Sequence, residues 1–86
     1  MEIVWDEPKR LANIDKHGLD FARLDFDFFM NSRIIPAQSG RYKAVGWLQR
    51  RKIIVVIFKP LGSEALSVIS MRTASVQERT FVHDKI

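Results

Sequence analysis

The sequence predicts one α+β domain over residues 1–86, with helices first and a mostly antiparallel sheet after them. Before residue 32 the apolar residues recur at helical spacing, whereas from residue 32 onward they alternate at the period of strands. A chain of 86 residues also buries one core and not two. The predicted order is β-α-α-β-β-β-β-α, with the two N-terminal helices packed on one face of the sheet.

The first third of the chain is predicted to hold one strand and two helices. Residues 2–5 are typical of a short strand. A first helix begins after Asp6 as N-cap, tolerates Pro8 in its first turn and ends at Gly18, with Leu11 and Ile14 in its apolar stripe. A second helix of about three turns follows Asp20 and is expected to fill the core. Its apolar residues are Phe21, Leu24, Phe26, Phe28, Phe29 and Met30.

Four strands and a short helix are predicted for the rest of the chain. The strands are 33–37, 41–48, 53–58 and 65–72, with a cationic hairpin loop at 49–52 and a turn at 59–62. Because residues 53–58 are apolar at every position, this strand should be central and covered on both faces. Ser75 and Glu78 fit a capping box that opens the last helix. Either that helix or a partner covers the second face.

Positive charge is concentrated in the second part of the chain. Residues 1–31 hold seven acids and four bases, whereas residues 32–86 hold three acids and ten bases. A cationic surface of this kind suits a polyanion such as nucleic acid, although lysine and arginine also solvate strand edges.

The sequence lacks the motifs of metal sites, cofactor sites, secretory leaders and membrane spans. With no cysteine, two histidines and no clustered ligand spacing, no metal is predicted. Glycine-rich phosphate loops and a serine elbow are also absent, so no cofactor is expected. The first residues show no secretory leader, and no apolar run reaches the roughly 20 residues of a membrane span. A soluble cytoplasmic protein is the expectation.

The remaining candidates are cations and histidine, which suit cleavage of RNA by its own 2′-hydroxyl group. The protein then needs only to hold the backbone, stabilise charge on the phosphorane and assist proton transfer. Arg41, Arg72 and Arg79 lie at the ends of predicted elements and are candidates for phosphate contact. His17 is a candidate for proton transfer, but at the end of a helix the more common role of such a residue is that of a cation that stabilises the C-terminus.

Three stretches resemble the BrnT family of bacterial type II toxins over nearly the whole chain. They are Trp5-Asp6 with Lys9, Asn13, Lys16-His17-Gly18 and Phe21; Arg41 with Gly46 and residues 55–58; and residues 67–75 with Glu78-Arg79. One departure is Val82, where many members carry a tyrosine, so that His83 is left as the neighbouring proton carrier.

The resemblance implies a RelE-like fold and a metal-independent endoribonuclease that inhibits translation. It also implies a hetero-oligomer with a BrnA-like antitoxin, through which alone the system contacts DNA. The implied catalytic residues are Arg41, Arg72 and Arg79, with Lys16 and His17 as weaker candidates, and His17 is included in the catalytic set. The predicted RNA-binding residues are Lys16 and the other cations Lys43, Arg50, Arg51 and His83. The antitoxin is expected on the sheet face that the first two helices leave open.

Two other functions fit the same residues. One is a module that binds RNA or ribosomes without cleavage, and the other is a degenerate toxin that acts only as a co-repressor bound to its antitoxin.

Overall fold

The computed structural model describes the backbone of residues 1–83 and the side chains of residues 1–82. The strands are β1 (Glu2–Trp5), β2 (Arg33–Pro36), β3 (Tyr42–Leu48), β4 (Lys52–Leu61) and β5 (Ala65–Thr73). The helices are α1 (Glu7–His17), α2 (Phe26–Met30) and α3 (Val76–His83), with a 3-10 helix at Phe21–Arg23. No helix in this described part of the chain is long and apolar enough to cross a membrane.

All five strands form one sheet in the order β1-β5-β4-β3-β2. The β1 strand pairs in parallel with β5, and every other pairing is antiparallel. The central position predicted for residues 53–58 is confirmed, because β4 lies in the middle of the sheet. Its alternate residues Ile54 and Val56 are fully buried on one face, whereas Val55 is fully buried on the other.

The bounds of α1 match the prediction, but its buried side does not. Gly18 caps the helix in the left-handed conformation, with φ of 70°, and donates its N–H to Ile14 O. The expected apolar stripe is wrong, because Leu11 is 54% exposed and the buried residue is Asn13. Asn13 is buried because its amide bonds the backbone of β5, a polar contact that hydrophobic spacing does not reveal.

The second predicted helix is also wrong as one continuous element. Asp20 accepts a hydrogen bond from the Ala22 N–H, and Asp25 accepts one from the Phe28 N–H, both at 2.9 Å. Each aspartate therefore starts its own short helix, and the chain is extended between them. The buried members are Phe21, Leu24, Phe28 and Phe29, while Phe26 and Met30 are exposed.

The two faces of the sheet carry different layers. One, the aromatic face, packs Ala44, Leu48, Ile54, Val56, Phe58, Leu66, Val68 and Met71 under Leu19 and the buried residues of the 3-10 helix and α2. The other, the α3 face, carries Val45, Ile53 and Val55, which pack with Ala74 and with Val82 of α3. The sheet face that was expected to bind an antitoxin is therefore covered, at Val45, Ile53 and Val55, by α3 of the same chain. Of the two possible covers, the last helix or a partner, the structure shows the helix.

Candidate functional site

Two cations of the α3 face stand on either side of the central strand. Lys43 of β3 pairs with Ile57, and Arg72 of β5 pairs with Val55. Because Val55 and Ile57 are alternate residues of β4 and both pack in the α3 layer, Lys43 and Arg72 project to that same face. Both are half-buried.

A single carboxylate, that of Glu78, lies between these cations. Arg72 donates from Nη1 to Oε1 at 2.7 Å and from Nη2 to Oε2 at 2.8 Å. Lys43 Nζ lies 3.8 Å from Oε2 of the same carboxylate. The Ser75 N–H donates to Glu78 Oε1 at 2.9 Å, and the Glu78 N–H donates to Ser75 Oγ at 3.1 Å. The predicted capping box is thus confirmed, and it fixes the carboxylate at the end of β5.

These contacts keep Glu78 and Arg72 ionised. The hydrogen bonds from the Arg72 guanidinium lower the pKa of Glu78 to about 2, with a further contribution from Ser75. The same carboxylate raises the pKa of Arg72. A carboxylate this acidic is a weak base at neutral pH, so its role is to orient cations rather than to accept a proton.

The Arg72–Glu78 pair leaves part of the guanidinium free. The carboxylate occupies the edge formed by Nη1 and Nη2. Guanidinium has five N–H donors in a fixed plane, and the edge formed by Nε and Nη2 has no partner within residues 1–82. Arg72, with 34% of its side chain exposed, can therefore bind a second anion without releasing Glu78.

Arg41 and Arg79 lie near this cluster in the fold. Arg41 is exposed immediately before β3, two residues or roughly 7 Å along the chain from Lys43. Arg79 is exposed on α3, next in sequence to Glu78. Among the side chains of residues 1–82 the three arginines share no contact, and Arg72 is the one that pairs with Glu78.

His17 and Lys16 lie on α1, which is joined to the strand of Arg72 through Asn13. Asn13 Nδ2 donates to Met71 O at 2.9 Å and to Leu19 O at 2.9 Å, and the Met71 N–H donates to Asn13 Oδ1 at 3.1 Å. The pairing of β1 with β5 ends at Val68. Beyond that point Asn13 holds the backbone of β5 at Met71, the residue before Arg72. His17 is half-buried one helical turn from Asn13, about 6 Å along the axis, and Lys16 is exposed beside it.

The other predicted RNA contacts lie apart from the cluster. Arg50 and Arg51 are exposed in the loop between β3 and β4, roughly 20 Å along the strand from Lys43. The side chain of His83 lies outside the described residues.

Sequence reasoning did not find the position of Glu78 between two cations, and it did not place Lys43 beside Arg72. Two features of the sequence indicate these positions. The capping box returns the Glu78 side chain to the start of α3, and the alternation of β3 and β5 puts Lys43 and Arg72 on one face.

Comparison with known proteins gives a consistent result. A family model described as the ribonuclease toxin BrnT of type II toxin–antitoxin systems matches residues 5–78. The crystal structure of the Brucella abortus ribonuclease toxin BrnT is 60% identical to the chain, with a TM-score of 0.84. That match covers 87% of this chain and 97% of the Brucella chain. Among curated proteins no sequence matches.

Proposed function

The chain belongs to the BrnT family of ribonuclease toxins of type II toxin–antitoxin systems, and we propose that it cleaves RNA on the α3 face of its sheet. The observation that carries the proposal is the pair Lys43 and Arg72, which bracket one carboxylate, with Arg72 donors that have no partner within residues 1–82. Guanidinium and ammonium groups bind phosphate oxygens through the same charge-assisted hydrogen bonds that they make to carboxylate. The free edge of Arg72 is thus a fitting place for a phosphodiester.

The proposed reaction uses the nucleophile that RNA itself carries. The 2′-oxygen attacks the adjacent phosphorus, the bond from phosphorus to the 5′-oxygen breaks, and the products are a 2′,3′-cyclic phosphate and a 5′-hydroxyl. The 2′-hydroxyl loses a proton and the 5′-oxygen gains one. Arg72, with Arg41 and Arg79, stabilises the negative charge of the phosphorane, which needs no metal ion.

His17 is the proposed carrier of those protons, since Val82 stands where many family members have a tyrosine. The remaining cations hold the RNA backbone on both sides of the scissile linkage. They are Lys16, Lys43, Arg50, Arg51 and, outside the described side chains, His83.

The biological proposal follows from family membership. The chain has a RelE-like fold, cuts mRNA in the cytoplasm and so blocks translation. A BrnA-like antitoxin neutralises it in a hetero-oligomer and provides the contact with DNA.

A non-catalytic RNA-binding module is the second candidate, and the composition of the cluster favours it. Among the described side chains, the Glu78 cluster combines two cations with one strongly acidic carboxylate and includes no histidine or tyrosine. Such a cluster is sufficient to hold a phosphate without moving a proton.

Induction of the chain alone in bacteria, with mapping of RNA ends, separates these functions. The proposed nuclease arrests growth and leaves cyclic-phosphate ends, and Arg72→Ala abolishes both. The matched control is Lys52→Ala, which removes an exposed cation at the start of β4 and retains cleavage. Growth arrest without new RNA ends would favour the binding module, and unchanged growth would favour a degenerate toxin.

A further inference from the structure

The motif at residues 67–75 contains two serines, Ser67 and Ser70, that the proposed reaction does not use. They are three residues apart, and side chains an odd number of residues apart in a regular strand project to opposite faces. The pairing of β4 with β5 shifts at this point, because Ser70 pairs with Ile57 whereas Ser67 pairs with Lys59. Three residues of β5 thus span two of β4, which is a β-bulge, and the bulge brings both serines to one face.

The face that the two serines share is the α3 face. Val68, next to Ser67, and Met71, next to Ser70, are both buried in the aromatic layer, so each serine projects to the opposite side. Ile57, the partner of Ser70, packs in the α3 layer, which agrees with this assignment. Bulges of this kind are common beside functional sites, where they redirect a side chain.

Together with Arg72, the two serines form a row along β5. The partners of Arg72, Ser70 and Ser67, in that order, are the alternate β4 residues Val55, Ile57 and Lys59. Alternate residues of a strand are roughly 7 Å apart, so the row has three positions at this interval. Lys59 projects to the same face as its partner Ser67. We call Arg72, Ser70, Ser67 and Lys59 the serine strip.

The helix α3 leaves most of this strip accessible. It packs toward one end of the face, over Val45, Ile53 and Val55. Ser67 and Ser70 are half-buried, and Lys59 is exposed. Within residues 1–82 the serine and threonine hydroxyls that form hydrogen bonds are those of Ser32, Ser75 and Thr80. The two hydroxyls of the strip therefore retain a donor and an acceptor for a ligand.

Positive charge lines the serine strip. Arg72 and Lys59 stand at its two ends, and Lys43 lies across β4 from its middle position. The carboxylate of Glu78 neutralises one of these three charges. Glu2 projects to the same face one row beyond Lys59 and marks the end of the cationic stretch. The excess of positive charge along the strip suits a polyanion.

We propose that the serine strip binds the RNA backbone on one side of the scissile linkage. The scissile phosphate lies on the free edge of Arg72, the adjoining sugar-phosphate contacts the Ser70 hydroxyl, and the next phosphate binds Lys59 beside Ser67. Serine hydroxyls and lysine are common partners of phosphate and sugar oxygens. The phosphates of an extended single strand recur at an interval close to the roughly 7 Å steps of the strip. The inference rests on the proposed function, since it continues the RNA site that begins at Arg72.

An acidic protein segment also matches the charge of the strip. RNA fits better, because the chain belongs to a ribonuclease family and the row continues directly from the Arg72 edge that is assigned to the phosphate. The hydroxyls of Ser67 and Ser70 also suit the 2′-hydroxyl groups of RNA, which both donate and accept hydrogen bonds.

Fluorescence anisotropy with a labelled 2′-fluoro oligouridine octamer, which lacks the attacking hydroxyl, tests the strip. Lys59→Ala should weaken binding by about 3- to 10-fold and lower the slope of log affinity against log salt by about 0.7, as the loss of one phosphate contact predicts. Ser70→Asp places a carboxylate in the row and should weaken binding by about 10-fold or more. Ser70→Ala, which loses a hydroxyl and adds no charge, should weaken binding by about 3-fold.

Two variants of matched charge serve as controls. Lys52→Ala removes a cation of the same strand that pairs with Leu48 and so projects to the aromatic face. Ser63→Asp adds a carboxylate at an exposed turn. Both should bind the octamer within about 2-fold of the wild type, since salt screens distant charges. An unlabelled 2′-fluoro dinucleotide, used as a competitor, has a single phosphate for Arg72, so Lys59→Ala should leave its affinity unchanged.

Octamer affinity that is unchanged in Lys59→Ala and in both Ser70 variants would overturn the proposal, even where the same variants weaken binding of polyglutamate. An equal loss of affinity in Lys52→Ala would also overturn it. Lys59 is exposed, so Lys59→Ala remains informative even where Ser70→Asp fails to fold.

The octamer with 2′-hydroxyl groups separates this proposal from the nuclease proposal. Binding that depends on the strip, without cleavage by the wild type, supports the strip and refutes the nuclease. Cleavage at the wild-type rate by Lys59→Ala and Ser70→Ala, with unchanged affinity, supports the nuclease and refutes the strip.

Discussion

Replacing Glu78 by glutamine should destabilise the fold in a way that depends on pH. Glutamine retains the capping box, because its carbonyl can accept from the Ser75 N–H, but it loses the charged pair with Arg72. The contacts lower the pKa of Glu78 from 4.5 to about 2, which sets an upper limit of about 3 kcal/mol. Because Arg72 is partly exposed and screened by solvent, we expect about 1 to 2 kcal/mol at pH 7.

The sign of the pH dependence follows from the lowered pKa. This stabilisation is complete above pH 4.5 and is lost as the pH falls toward 2 and the native carboxylate becomes protonated. Urea unfolding of the wild type and Glu78→Gln should therefore differ at pH 7 and converge near pH 2. Glu64→Gln, at an exposed turn, is the matched control and should follow the wild type. A difference between wild type and Glu78→Gln that stays constant from pH 7 to pH 2 would refute the assigned ion pair.

Three further variants test the packing and the loop. Asn13→Ala leaves the buried Met71 N–H and C=O of β5 without the Asn13 amide, and it should lower the free energy of unfolding in urea by about 2–4 kcal/mol. A decrease below about 0.5 kcal/mol would show that these hydrogen bonds do not stabilise the fold. The double change Gln49→Asn with Arg50→Gly should raise stability by about 1 kcal/mol, or the melting temperature by about 4–8 °C, because it relieves two left-handed residues; an unchanged melting temperature would argue against the turn. Gly46→Ala would drive a Cβ into the Ser32 hydroxyl, which donates to a buried carbonyl at 2.6 Å, and should cost about 1–3 kcal/mol by thermal unfolding; a neutral effect would show that this contact yields.

The strand pattern of this fold is readable from sequence because each face repeats at a period of two. The alternation around Val45, the two-sided run 53–58 and the capping box at Ser75 each predict a local arrangement that the structure contains. These features depend on residues close together in sequence or on whether a side chain is apolar enough to be buried. The order of strands, with β1 beside β5, depends on long-range packing and is not encoded in any local pattern.

The helices of the first third were harder to predict for physical reasons. Asp25 competes as a second cap inside an apolar stretch, and it divides what spacing alone predicts as one helix. Asn13 is buried by hydrogen bonds to a strand 58 residues away, while Leu11 stays exposed. Hydrophobic periodicity assumes that the buried face is apolar, so it fails where a polar side chain completes a sheet edge.

In the candidate site, too, local sequence features were predictable and long-range contacts were not. The place of Arg72 at the end of a strand predicts a phosphate contact, whereas the sequence around Glu78 predicts only a helix cap. Its second role arises because the end of β5 and the start of α3 bring the cap beside Arg72 and Lys43. Such convergence across three elements requires the tertiary structure.

Cleavage of a single-stranded RNA by the purified chain, with identification of the product ends, tests the phosphate site of Arg72 most directly. The wild type should yield a 2′,3′-cyclic phosphate, and a 2′-deoxy substitution at the scissile nucleotide should stop the reaction. Arg72→Ala should slow cleavage by about 100-fold or more while RNA affinity falls less than about 10-fold, since the lost contact stabilises charge in the transition state. A folded Arg72→Ala protein that cuts the same RNA at the rate of the wild type would contradict the account.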